Sequence, residues 1–137
     1  MSAITEAIYD VLAGDPTLTG LLAVYNGEPA IFTTDPAPGD ATLPYIVTAG
    51  EVAQSPFDTK TTRGRVVVRD VRCYTDAMGS AVTVEAIAER VRALLHRQIL
   101  AITDFDWVMA FCSGPMAADA QDAYGRIVTV TMTIEEM

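Results

Sequence analysis

Apolar residues recur at helical spacing from the start of the chain. Ile4, Ala7, Ile8, Val11 and Leu12 fall at offsets 0, 3, 4, 7 and 8, a single stripe along one helix. Ser2 can cap that helix and Gly14 can stop it. Asp15-Pro16 reads as an N-cap followed by proline at the first position of a short helix carrying Leu18, Leu21 and Leu22. Asn26-Gly27 marks a turn, residues 30–33 a short strand, and residues 34–43, with two prolines, a glycine and two aspartates, a loop. Pro44 opens a strand through Tyr45, Ile46, Val47 and Thr48. A polar, breaker-rich stretch follows and predicts a long flexible loop at about 52–64.

Residues 65–74 give the strongest strand signal. Val66, Val67, Val68, Val71 and Tyr74 are interleaved with Arg69, Asp70 and Arg72, as in a half-buried strand near the middle of a sheet. Residues 76–79 turn the chain, and Ser80 caps a helix reaching about residue 97. Its stripe is Val84, Ile87, Ala88, Val91, Leu94 and Leu95. Glu85 near its start and Arg92, His96 and Arg97 near its end suit the helix dipole. Residues 107–113 alternate Trp107, Met109 and Phe111. Residues 126–135 set Val128, Val130, Met132 and Ile134 against Thr129, Thr131 and Thr133. The stretch 114–124 reads as loop or extended strand. This order predicts one α+β domain over residues 1–137. A small antiparallel β-sheet of about four to five strands carries two main helices packed on one face.

Half of the 137 residues are hydrophobic, enough to build a core. Charge is segregated along the chain. Residues 1–59 hold eight acids and no base, residues 60–97 hold eight of the nine basic side chains, and the remainder holds six acids against Arg126. A basic block inside a chain of net charge −9 can fold against its own acidic flanks or pair with a neighbouring subunit. On the second alternative, Arg69, Arg72, Arg90 and Arg92 are the candidates for intersubunit pairing. No apolar run approaches the ~20 residues of a membrane span. The N-terminus lacks the basic start of a signal peptide, so the protein is expected to be intracellular when made.

Chemical motifs are sparse. The lone histidine, His96, reads as a solvated cation at a helix end. Cys73 and Cys112 are isolated and read as small buried hydrophobes. Asp104 and Asp106 flank Phe105 and suit a solvated turn, and Asp119 and Asp122 lack calcium-loop spacing. The expectation is no catalytic residue, no metal and no cofactor. A small ligand-binding domain or enzyme remains as an alternative. It would need a cavity lined by Tyr74, Trp107, Met109 or Phe111. Arg63, Arg65, Arg69 and Arg72 lack the interleaved exposed aromatics of a nucleic-acid surface. Phe57 is an aromatic in a polar loop, and with Asp58, Lys60, Arg63 and Arg65 it forms the candidate partner-binding segment.

The arrangement of segments resembles the tail-terminator, or tail-completion, proteins of long-tailed phages, prophages and gene transfer agents. The likeness rests on the opening helix ITEAIYDVLAGDPTLTGLL, the strand start Leu43-Pro44-Tyr45-Ile46-Val47 and the loop ending Arg63-Gly64-Arg65. It continues through the unit VVVRDVRCYTDAMGSAVTVEAIAERVRALLH and the closing IVTVTMTIEEM. The resemblance implies a structural virion protein made in the host bacterial cytoplasm. It implies a homo-oligomeric ring, usually hexameric, on the head-proximal end of a tail tube. Such a ring stops tube growth, offers a surface to the head-connector (stopper) protein, and lets DNA pass through its bore without sequence-specific binding. No membrane is involved. A head-closure ring of the same neck is the nearest alternative.

Overall fold

The computed structural model describes residues 2–33, 37–76, 81–118 and 123–136, with side chains described for all of these except 2, 49–51, 107 and 108. Among these residues, three helices and seven strands follow one another in the order α1 (Ser2–Ala13), α2 (Pro16–Thr19), β1 (Val24–Tyr25), β2 (Glu28–Pro29), β3 (Ile31–Phe32), β4 (Tyr45–Pro56), β5 (Gly64–Asp76), α3 (Val82–Leu95), β6 (Phe105–Ala117) and β7 (Ala123–Glu136). The main sheet has five strands in the order β3-β4-β5-β7-β6, and β1 and β2 form a separate ribbon. Pairing is antiparallel except between β3 and β4, which run parallel. The sheet is therefore mixed rather than wholly antiparallel. The loop after β3 carries the chain back so that β4 starts beside Ile31 and runs in the same direction.

The helical stripes are where the periodicity puts them. Ile4, Ile8, Leu12, Val84, Ile87, Val91 and Leu95 are fully buried. They meet Val67, Val71 and Cys73 of β5 and Val128, Val130, Met132 and Ile134 of β7 in one core. The threonines of β7 stand on the opposite face, half-buried. Leu94 differs from the expected stripe, because it packs at the rim of the core and is only partly buried. The Ser80 cap lies outside the described residues. α3 begins instead after Ala81, with no side-chain cap. Asp15 does cap α2, accepting from the Leu18 N–H at 2.9 Å. Asn26 and Gly27 both take positive φ, 50° and 83°, the pair that a two-residue hairpin turn demands.

Two stretches depart from expectation in length. The predicted loop at 52–64 is shorter than expected, since β4 continues to Pro56 and β5 starts at Gly64. Only residues 57–63 turn. The ambiguous stretch 114–124 is extended on both sides of a link, with β6 running to Ala117 and β7 starting at Ala123. Asp119 and Asp122 lie outside the described residues.

β6 inverts the face suggested by its large residues. Ala110 and Cys112 are buried against the core, whereas Met109 and Phe111 are each 46% exposed. The inner side of this strand lies beneath α3, and small side chains fit there.

Candidate interaction surface

β5 and β7 keep an unbroken register from Gly64↔Glu135 to Asp76↔Ala123. β6 adds Phe105 beside Glu136. The turn at residues 57–63 therefore sits at the same end of the sheet as Phe105, Asp106, Glu135 and Glu136. This turn is built rather than loose. Phe57 donates its N–H to Gly64 O at 2.9 Å and Thr59 donates to Thr62 O at 3.0 Å. Asp58 Oδ1 accepts from Gly64 N–H at 3.3 Å. Asp58 thus shapes the turn, while Phe57, 53% exposed, projects from it.

Gly64 is required where the turn rejoins the sheet. A Cβ there would lie 2.7 Å from Phe57 O and 2.8 Å from Ile134 O. Arg65 is held on the sheet, 3.4 Å from Glu136 and with its guanidinium 5.5 Å from the centre of the Phe105 ring. Gln54, Ser55, Pro56, Asp58, Arg63, Arg65 and Glu136 border a shallow cleft of about 430 Å³. Of the five candidate partner-binding residues, Phe57, Lys60 and Arg63 face outward, and Asp58 and Arg65 are engaged within the chain.

Part of the basic block folds onto acids of its own chain. Arg90 grips Asp15 with two bonds of 2.8 Å. Arg72 reaches Asp70 at 3.9 Å and Arg126 reaches Glu85 at 3.5 Å. Arg69, expected at a subunit surface, is 3% exposed and donates to Thr5 Oγ1 at 2.9 Å. It lies inside because its position on β5 shares the face of Val67 and Val71. Among the described residues, Lys60, Arg63, Arg92 and Arg97 form no ion pair.

His96 is not a freely solvated helix end. It is half-buried, 5.9 Å from the Phe111 ring, and its Nδ1 accepts from the Cys112 N–H at 3.0 Å. The next residue, Arg97, donates its N–H to Ala110 O at 3.0 Å. The end of α3 therefore lies along the outer edge of β6. Periodicity carries no trace of this contact, which joins residues 16 apart.

The thiols have no reactive character. Burial pushes Cys73 up to about 12 and Cys112 up to about 11, the nearby Arg92 charge opposing the second shift. Among the described residues no group of three His, Cys, Asp or Glu is placed to hold a metal. No described helix is long and apolar enough to cross a membrane. The aromatic cavity of the enzyme alternative meets a different arrangement, since Met109 and Phe111 face away from the helices. Tyr74 instead ends a ladder of rings, Tyr25–Phe32–Tyr45–Tyr74, with centroids 5.2, 5.6 and 5.7 Å apart.

No curated protein matches the sequence. Among solved structures, a chain of the virion of a native gene transfer agent particle superposes with a TM-score of 0.79 at 23% identity. The match covers 98% of this chain and 96% of that one, and it shows a shared fold. The sequence itself matches the family of the tail completion protein gp17 over residues 6–135. The match runs from within α1 to within β7, nearly the whole chain, so the chain belongs to the tail completion protein gp17 family.

Proposed function

We propose that this protein, a structural component of a phage-type tail and not an enzyme, forms a ring of six copies at the head-proximal end of the tail tube. The ring ends tube polymerisation, gives the head connector a surface to join, and leaves a bore for DNA. The family match over residues 6–135 carries the reading. The absence of reactive thiols and the outward Phe57, Lys60 and Arg63 accord with a protein that works through contacts. A contact between unlike faces of successive copies closes into a ring when the rotation per copy is right. The turn at 57–63 is the segment offered to the tube or to the adjacent copy. Contacts repeated around a ring strengthen through avidity, which a lone subunit lacks.

The test is particle assembly with Phe57→Ser and Lys60→Ser together. Both side chains are exposed, so the variant is expected to fold as the parent does. Overlong tubes, or heads and tails that stay unjoined, are the expected result in electron micrographs. Joined particles of normal length would remove the turn from the reading. A neck holding one copy or a two-fold dimer would remove the ring.

A further inference from the structure

The two edges of the main sheet differ in a way that bears on assembly. On one side, β3 pairs only with Ile46 and Val47 of β4. Beyond Val47 no described strand adds to that side of β4, and Val52, Ala53, Gln54, Ser55 and Pro56 are all exposed. On the other side, β6 is the last strand, but its outer edge is covered. Arg97 N–H bonds Ala110 O and Cys112 N–H bonds His96 Nδ1, each at 3.0 Å. Each copy thus has one edge to which no described strand is added and one edge closed by two hydrogen bonds.

Sheet edges that must stay single are commonly guarded by charged side chains. Here each edge strand holds one charged residue, Glu51 in β4 and Asp106 in β6. Residues 52–57 (VAQSPF) and 107–118 (WVMAFCSGPMAA) hold no Asp, Glu, Lys, Arg or His. In a chain of net charge −9, such uncharged stretches let two copies approach at low Coulombic cost. Apolar side chains flank both, Val52 at 58% exposure and Met109 and Phe111 at 46%.

We propose that His96 and Arg97 are a releasable cover on β6, and that in the assembled ring the β4 edge of a second copy takes their place. The two edges belong to opposite sides of one sheet. Their pairing is head-to-tail and leaves a fresh open edge for the next copy, which is the contact a closed ring needs. While the cover is on, strand addition at β6 is blocked and the free protein stays single. The inference rests on the ring reading and specifies the contact by which the ring closes.

The test uses the full chain with His96→Phe, which keeps a ring beside Phe111 but removes the acceptor. Protection of the Cys112 amide from hydrogen exchange is expected to fall about tenfold, the worth of one hydrogen bond. In sedimentation velocity the variant is expected to form concentration-dependent oligomers where the parent is a monomer. Adding Val52→Lys and Ser55→Lys, which guard the β4 edge, is expected to return it to monomer. In an otherwise parental chain, the two lysines are expected to leave a folded monomer that fails to occupy particle necks. An unchanged Cys112 amide, a monomeric His96→Phe protein, or oligomers that persist with both lysines would each overturn the inference. A ring at the neck built from the lysine variant would do so while leaving the ring reading intact. Particles made with the parental protein whose necks hold no ring would instead overturn the ring reading.

Discussion

Asp15 shows how much one side chain can organise. Its carboxylate accepts from the Leu18 N–H, which starts α2, and from both Nε and an Nη of Arg90, which fixes α2 against α3. The forked geometry is that of a strong carboxylate–guanidinium pair. The Arg90 hydrogen bond, opposed by desolvation, holds the Asp15 carboxyl below its ordinary value of 3.8. A carboxyl lowered in the folded state stabilises the fold above its unfolded value, and that contribution is lost as pH falls through the lowered one. Asp15→Asn keeps a capping oxygen but removes the charge. Its melting temperature is expected to lie below the parent's near neutral pH, with the gap closing as pH drops below 3.8. A gap of constant size in calorimetry across that range would show that the charge does not matter. The sequence announces the cap, because Asp-Pro before a leucine-rich turn has a local meaning. The Arg90 partnership, spanning 75 residues, has none.

Helix stripes and strand alternation were legible because each is a local period imposed by one buried face. Ile4 to Leu12, Val84 to Leu95 and Val128 to Ile134 all follow it. Leu95→Ala is expected to cost about 2–5 kcal/mol in denaturant unfolding, as for a filled core site. Leu94→Ala, at the rim, is expected to cost clearly less, and equal losses would place the core elsewhere. β6 was not legible in this way. An alternating strand states that two faces differ but not which of them meets the core. The parallel β3 was hidden too, since two residues carry no directional signal. The candidate site was legible as a place, the turn carrying Phe57 and Lys60, but its extent was not. Residues 52–56 are strand because they pair with neighbouring β5. Gly64 marks the true boundary. Gly64→Ala is expected to destabilise by about 1–3 kcal/mol, the scale of a side chain forced into occupied space. An unchanged melting curve would mean that the turn can shift away from Ile134.

At the scale of the whole molecule, the in-chain pairing of Arg65, Arg72, Arg90 and Arg126 has a colloidal consequence. Cations already matched to acids of their own chain have little left to offer a second molecule. What one copy presents to another at a distance is the uncancelled −9, the field of a small polyanion. The osmotic second virial coefficient of the purified protein is therefore expected to be positive in dilute buffer. It is expected to fall towards zero as added electrolyte shortens the Debye length, about 10 Å at 0.1 M ionic strength. Encounters between copies should become more frequent as salt rises, the reverse of association driven by opposite charges. Light scattering across a salt series reads that sign directly. A coefficient that climbs with salt would mean that unlike charges on different molecules, and not the matched pairs within each one, govern how the copies meet.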